Sequence, residues 1–412
     1  MHALFMSRNI FLISWISILL STSSCANEAK VSPVPFDPTQ TIQLAHGFQL
    51  QVYAKLHDLI QDMRYIEPRM MAFDASGNLY VSFPNKNMVL MLTDEDKNGV
   101  ADKSTLVSNQ LNAPHGLTFI GDKLYVANQD GVVVLEKNNE HWPSKPPINI
   151  INNLPTGGHT LKSLKLGPDG LLYIQVGSSC NVCQEHDALR ATILRYTPEG
   201  KPAGALTTLG RHAPNPIYAS GLRNSQGFTW HPISRKMFAT NEGADNRSEI
   251  KNGITNDELP PEHLNQIEAG KNYGWPYCWA DSSKLRIMFS DPNFVRDTDY
   301  CRTTTAPAIT FTSHSTPIGI SFLHNANVPS EYKQDAIVAL HGSWNRQKPS
   351  GYKLVRVKFN DDNPIAVEDF ATGWLNNETS WGRPVDVIVG PDGAVYVSDD
   401  RAGLIYRIHR KN

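Results

Sequence analysis

The stretch Leu164-Lys165-Leu166-Gly167-Pro168-Asp169-Gly170-Leu171-Leu172-Tyr173-Ile174 reads as two apolar strands joined by a tight turn. Pro presets the turn backbone, Asp bonds to its own main chain and Gly supplies the left-handed conformation, so this turn between β-formers is a hairpin with a mechanism. The unit returns at Val387 to Val397 through Gly390-Pro391-Asp392-Gly393, at Met71 to Val81 through Asp74-Ala75-Ser76-Gly77, and at Leu117 to Val126. Two weaker copies run from Phe228-Thr229-Trp230 to Phe238-Ala239 and from Ile318-Gly319-Ile320-Ser321-Phe322 to Ile337-Val338-Ala339-Leu340. The six strand centres, Tyr80, Tyr125, Tyr173, Phe238, Val338 and Tyr396, are separated by 45, 48, 65, 100 and 58 residues.

Each step is long enough for a four-stranded antiparallel sheet, and the 100-residue step carries a large insertion as well. A hairpin-rich sheet repeated in this way cannot bury both faces alone, and stacking around an axis solves that problem. The expected fold is therefore all-β, a six-bladed β-propeller forming one domain over residues 40–410. A β-sandwich array is the alternative, and it lacks the recurring turn. A strand near Ile42 to Ala54 is expected to pair with the last strands near Leu404 to Ile408 and close the ring.

The chain has 412 residues, with 38 Lys and Arg against 40 Asp and Glu, and only 19% of residues are charged. That balance leaves no electrostatic footprint for nucleic acid or an anionic membrane surface, so a small molecule or another protein is the expected partner. Twenty-eight Gly and 27 Pro in a chain that is 40% hydrophobic suit a turn-rich globular protein.

Residues 1–24 read as an export signal, with Arg8 ahead of the apolar run Ile10 to Leu20. That run is too short to span a bilayer, which takes about 20 residues. Ser21-Thr22-Ser23-Ser24 before Cys25 is similar to a bacterial lipoprotein processing site, although Thr22 stands where Leu is usual. Lipidation of Cys25, giving a lipid anchor, and ordinary cleavage nearby both stay open. Either way the mature chain is expected outside the cytoplasm, in the periplasm or anchored at its membrane. Disulfides persist there, and Cys180, Cys183, Cys278 and Cys301 allow three pairings. The economical one joins Cys180 to Cys183 and Cys278 to Cys301. The competing reading of Cys180 and Cys183 as a redox dithiol or half a zinc site lacks a helix-opening context and a second CxxC.

Ligands on a propeller axis are held by loops from successive blades, so candidate residues should recur once per repeat. Gly157-Gly158-His159 precedes the third repeat, Arg223-Asn224 the fourth, Gly382-Arg383 the sixth and Pro68-Arg69 the first. His341-Gly342-Ser343-Trp344-Asn345-Arg346 follows the fifth-repeat strand. Several Arg and one His about an axis imply a cationic pocket for a multi-carboxylate ligand, because guanidinium groups pair carboxylates bidentately. The His is the natural general base at neutral pH.

Taken together, Gly157 to Cys183, Tyr218 to Pro232, Thr240 to Asn246, Asn256 to Cys278 and His341 to Arg346 resemble the glucose/sorbosone dehydrogenase family. These are exported six-bladed propellers that use pyrroloquinoline quinone and calcium. The resemblance runs from about Arg69 to Ile408. It implies a sugar (aldose or sorbosone-type) dehydrogenase that passes electrons to an external acceptor such as a cytochrome or quinone. By resemblance His159 takes the proton from a sugar hydroxyl, and Arg223, with Asn224 beside it, sits at the reactive quinone oxygens. Gly243 and Ala244 hold calcium through their backbone carbonyls, which suits a hard cation. Arg383, Arg346 or Lys348, Arg69 and Lys162 are the candidates for the cofactor carboxylates.

The chain departs from the better-studied sugar-dehydrogenase branch where Val385 and Ser163 replace Arg, the first removing one carboxylate clamp. Trp275 and Trp279 either wall a substrate cleft or pack under the neighbouring disulfide. Asp94 to Asp102 opens like an EF-hand loop but has Thr105 at the twelfth position, so it reads as a polar hairpin. Two other functions remain: a calcium-dependent, lactonase-like propeller hydrolase and a non-catalytic propeller binding module.

Overall fold

The computed structural model describes residues 37–60, 65–139, 141–205, 215–281, 287–296 and 299–411. The expected export segment and Cys25 lie outside these residues. The chain divides into Met1–Asp37 and Pro38–Asn412, and the second unit is the one described below.

The turn that defines the repeat shows why it is spelled as it is. Asp169 Oδ1 accepts from the Leu171 amide at 3.2 Å, and Oδ2 accepts from the Tyr173 hydroxyl at 2.9 Å. Asp74 with Tyr80 and Asp392 with Tyr396 repeat the hydroxyl bond at 3.2 Å. One carboxylate thus closes the turn and caps the following strand in three blades. Gly170 adopts φ +78°, which only a residue without Cβ takes freely. Gly167 is needed for space, because a Cβ there would lie 2.5 Å from the Tyr173 ring.

Each hairpin grows into a four-stranded antiparallel sheet. Blade one is Met71–Phe73, Leu79–Phe83, Met88–Thr93 and Lys103–Ser108, and blade two is Leu117–Ile120, Lys123–Asn128, Gly131–Leu135 and Ile148–Ile151. Blade three is Leu164–Leu166, Leu172–Val176, Thr192–Tyr196 and Ile217–Ser220, and blade four is Phe228–Trp230, Met237–Asn241, Glu262–Ile267 and Ile309–Phe311. Blade five comprises Pro317–Phe322, Ala336–Leu340, Lys353–Asn360 and Asn363–Thr372. Blade six takes Pro384–Val389, Val395–Asp399 and Leu404–Arg410 from the C-terminal part and Phe48–Lys55 from the other end of the ring. The six-bladed propeller expected from the repeats is the observed fold.

Ring closure differs in one detail from the expectation. The segment from Ile42 to Ala54 is two strands, of which Gln43–Leu44 joins blade five opposite Thr372 and Ala371. Only Phe48–Lys55 closes the ring, with Phe48 opposite Arg410 and Lys55 opposite Leu404. Gly47, at φ +87°, turns the chain between them.

Strand alternation then builds the core. Successive strand side chains point to opposite faces, so Leu172 and Ile174 pack on Tyr125 and Val134 of blade two. Tyr173 and Ile193 pack on Phe228 and Met237 of blade four. Six apolar clusters occupy the six blade interfaces. Both faces of every second strand are consequently buried, and period-2 polarity is absent from these strands.

Both economical disulfides are present, Cys180–Cys183 and Cys278–Cys301. The second ties down the insertion of blade four, which carries the hairpin Cys278–Ala280 and Met288–Ser290. Asp94 to Asp102 is the hairpin between Met88–Thr93 and Lys103–Ser108. Its carboxylates accept bonds from within it, Asp94 from Gly99 N at 2.8 Å and Asp102 from Glu95 N at 2.7 Å.

The turn makes a graded prediction. A Cβ at Gly170 meets nothing within 4 Å, so Gly170→Ala is expected to cost only the left-handed backbone penalty, about 1 kcal/mol in urea unfolding. Gly167→Ala must displace the Tyr173 ring and should cost more. The reverse order would refute this account of the repeat.

Candidate active site

The loop leading into each blade is tied to the end of that blade's second strand. Arg69 N bonds Ser82 O at 2.9 Å, His115 N bonds Ala127 O at 2.8 Å and His159 N bonds Ser178 O at 2.9 Å. Glu242 N bonds Asn224 O at 3.0 Å, His341 N bonds Thr316 O at 2.9 Å, and Arg383 N bonds Asp399 Oδ1 at 2.9 Å. Antiparallel pairing puts both ends at the same mouth of the ring, which is why residues from distant repeats meet there.

At this mouth His159, Arg223 and Gly243 line one cleft with Asp245, Glu262 and Trp344. Its envelope of about 470 Å³, open side included, falls in the range of ligand pockets. His159 Nδ1 lies 2.9 Å from Ser178 Oγ. Ser178 Oγ donates its single hydrogen to Cys180 O at 2.7 Å. The hydroxyl must then accept from the imidazole, so the proton sits on Nδ1 and the lone pair on Nε2. Burial and the Arg223 charge pull His159 down to about 4, so it is neutral and proton-accepting at neutral pH.

Arg223 is buried and donates through Nη2 to Asp245 Oδ2 at 3.1 Å and Asn181 Oδ1 at 3.0 Å. Its Nε donates to Asn181 O at 3.2 Å, and Nη1 has no partner among the described residues. Burial pushes Asp245 up, but His314, Arg223 and Asn345 outweigh it and hold the carboxyl below its ordinary value. Burial lowers His314, yet its partner Asp245 and nearby Glu262 leave the imidazole raised. Burial raises Glu242 to about 6 against the opposing pull of Arg223 and Asn224. Glu262 is pushed up to about 7 by burial, with the Glu242 charge adding to the rise. Thr316 N reaches Glu262 Oε1 at 3.3 Å from a loop in which His314 and Thr316 have φ of +61° and +53°. Such backbone is a genuine outlier for a β-branched residue and gathers at functional sites.

The cations expected about the axis are distributed differently. Arg69 Nη1 and Arg383 Nε both donate to Asp400 at 2.8 Å, and His341 Nε2 lies 3.0 Å from it. Arg69 also donates to Gln226 Oε1 at 3.0 Å. Burial raises Asp400, but His341, Arg69 and Arg383 outweigh it and keep the carboxylate charged far below its ordinary range. Arg383 leaves both amino groups without a partner among the described residues. Arg346 pairs Glu258 and donates to Ser313 O. Lys162 is buried, donating to Pro155 O and Thr160 O at 2.8 and 2.7 Å, and desolvation pulls it to about 8. Asn224 donates to Glu242 Oε2 at 2.9 Å. The cleft therefore has three carboxylates and one Arg in place of the expected cationic pocket, because most of the axial charges are matched internally.

Val385 is fully buried against Met70 and Ile318. Ser163 is buried with its hydroxyl unpartnered among the described residues. Trp275 and Trp279 line a smaller space behind Gly243 and Ala244, with Cys278 at its wall. The tryptophan at the cleft is Trp344, 79% exposed. Glu242, Asp245 and Trp344 lie within the sequence motifs, which assign them no role; Glu262 and Asn181 carry no signal beyond lying inside those motifs, and His314 lies outside all of them.

The TrAA12-like family model matches residues 42–411. The chain is 26% identical to an uncharacterized protein of Borreliella burgdorferi across 98% of both chains. It is 25% identical to the pyrroloquinoline quinone-dependent pyranose dehydrogenase of Coprinopsis cinerea, over 83% of this chain and 52% of that protein, spanning about half of that relative's length. It is 24% identical to the aldose sugar dehydrogenase YliI of Escherichia coli, over 63% of this chain and 62% of the relative. The fold is shared with the calcium structure of a Trichoderma reesei carbohydrate-active enzyme of family AA12, at TM-score 0.74 and 20% identity over 91% and 98% of the two chains. It is also shared with the holo form of the Coprinopsis cinerea pyranose dehydrogenase quinone domain, at TM-score 0.73 and 20% identity over 90% and 97%. The relatives named for an activity are sugar dehydrogenases, and the family resemblance drawn from the motifs is borne out.

The electrostatics of the mouth can be measured directly. NMR titration of the metal-free chain should find His159 neutral at pH 6, with a midpoint near 4, and His314 titrating above the ordinary imidazole value. A His159 midpoint at or above 6.5 would show that neither burial nor the Arg223 charge depresses the imidazole. Asp400→Ala leaves the buried Arg69 guanidinium, and the partly exposed Arg383 beside it, short of a counter-charge and should cost about 3–5 kcal/mol in urea unfolding.

Proposed function

The chain belongs to the TrAA12-like family, and from that premise we propose that it is an oxidoreductase that oxidises a sugar with pyrroloquinoline quinone and calcium as cofactors. One observation carries the reading: a neutral histidine with its Nε2 lone pair free shares a cleft with a buried arginine and the Gly243 backbone.

The residues fit the cofactors. No hydrogen bond from the described residues reaches the Gly243 or Ala244 carbonyl, and Gly243 lines the cleft beside Glu242 and Glu262. Oxygen donors of this kind suit calcium. The amino groups of Arg383 are left over for a cofactor carboxylate, and Arg223 Nη1 for the quinone oxygens. Val385 offers none, so the clamp on the quinone is lighter than one with two arginines. When bound, the quinone supplies a hydride acceptor and calcium a Lewis acid.

The remaining work belongs to side chains. His159 Nε2 accepts the proton of the sugar hydroxyl, and the bond from Nδ1–H to Ser178 holds the ring in that tautomer. Arg223 presents positive charge where negative charge accumulates. Trp344 offers the sugar a flat apolar face at the mouth. An aldose or sorbosone-type sugar as substrate, and a cytochrome or quinone as external acceptor, complete the reading. The same reading has the chain exported to the periplasm, with Cys25 as the first mature residue where it is lipidated; the intact mass of the mature chain distinguishes lipidation from ordinary cleavage.

Glu242 and Glu262 at the cleft, with Asn224 bonded to Glu242 behind it, favour a second reading, a calcium-dependent hydrolase, because such enzymes gather carboxylates and amides around their metal. One experiment separates the two. The purified chain is titrated with the quinone and calcium, then assayed for reduction of an artificial electron acceptor with a panel of aldoses, and for lactone hydrolysis with calcium alone. Quinone binding and sugar-dependent reduction are expected, with His159→Gln losing about 10²–10⁴-fold in kcat while keeping quinone affinity. Lactone hydrolysis without quinone binding would favour the hydrolase.

A further inference from the structure

Asn181 lies between two disulfide-bonded cysteines and makes five bonds, four to groups that form the cleft and one to Trp275 behind it. Its main-chain oxygen accepts from Arg223 Nε at 3.2 Å and from Trp275 Nε1 at 3.1 Å. Its side-chain Oδ1 accepts from Arg223 Nη2 at 3.0 Å and from Asp245 N at 2.8 Å. Its Nδ2 donates to Asp245 O at 2.9 Å. The amide thus brackets both main-chain groups of Asp245 while gripping the guanidinium that pairs with the Asp245 carboxylate. Asparagine offers an acceptor and a donor on one short planar group; aspartate lacks the donor and alanine lacks both.

The flanking residues extend the grip. Cys180 O takes the Ser178 hydroxyl hydrogen, which obliges Ser178 to accept from His159. Ser179 is tied to Glu185 through its amide at 2.6 Å and its hydroxyl at 2.8 Å. The Cys180–Cys183 bond closes the loop on itself. A loop so short and so cross-linked has few alternative conformations, so its polar groups stay where the site needs them.

We propose that Asn181, presented by the Cys180–Cys183 loop, is the positioning residue of the cleft: it holds Arg223 and Asp245 in register with His159. The proposal rests on the assignment of this cleft as the reacting site. Asn181 acts through Arg223 and His159 and does not itself meet the substrate.

The test uses Asn181→Ala and, as a second variant, Cys180→Ser with Cys183→Ser, each first shown to be folded by thermal unfolding. The first measurement is the NMR titration of His159 in the chain without metal or quinone. Asn181→Ala removes the Oδ1 acceptor from Arg223 Nη2, so the guanidinium is held less closely beside His159; its charge then depresses the imidazole less, and the midpoint should move from about 4 partway toward the ordinary value, further in Asn181→Ala than in the double variant. The second is steady-state turnover with quinone, calcium and sugar. Here kcat should fall about a hundredfold, as expected for a misplacement of about 1 Å, while KM for the sugar changes less than about twofold. A merely structural role would lower the unfolding midpoint without moving the His159 titration. A folded Asn181→Ala chain with the wild-type titration and wild-type kcat would overturn the proposal. A wild-type chain that oxidises no sugar would sink the dehydrogenase reading alone, because the titration still decides whether Asn181 holds Arg223 beside His159.

Discussion

Asp400 is where the ring meets itself. Arg69 comes to it from the loop before blade one, His341 from the end of the second strand of blade five and Arg383 from the loop before blade six. Strand pairing between Phe48–Lys55 and Leu404–Arg410 closes the outer edge of the propeller, and this carboxylate closes its centre. A buried ion cluster adds little stability over an apolar packing, but losing one member is strongly destabilising because the remaining charges stay buried. From Arg69 the bonding passes through Gln226 to Glu242, so the closure is continuous with the wall of the cleft.

That continuity explains the charge pattern of the site. Positive groups at the blade lead-ins are mostly satisfied by carboxylates of the same ring, and what faces the cleft is a small set of groups altered by burial. His159 loses its proton affinity, while Glu242 and Glu262 keep theirs to about 6 and about 7. One desolvating environment therefore yields a neutral base and two carboxyls that favour a nearby cation over standing charged alone.

Much of this is legible in the amino-acid sequence. The hairpins are local: Asp169, Gly170 and Tyr173 interact within a few residues, so composition and spacing reveal them. The lead-in loops are readable by their recurrence, and His159, Arg223 and Gly243 do line one cleft. The fates of Arg69 and Arg383 are not readable, since their shared partner Asp400 lies 331 residues from the first of them. Nor is the role of Asn181, whose hold on Asp245 spans 64 residues and leaves no periodic trace. The segment from Ile42 to Ala54 reads as one strand because nothing local shows that its first part belongs to another blade.

By itself the sequence determined that the chain is a ring of six β-sheets, where each sheet turns, and which loops face the axis. These follow from short-range chemistry, in which turn residues and alternating apolar residues act within one repeat. Only the tertiary structure decided which axial charges neutralise one another and which remain for a ligand. That outcome depends on distances between repeats hundreds of residues apart, and an electrostatic pairing is settled by ångströms in space rather than by position along the chain.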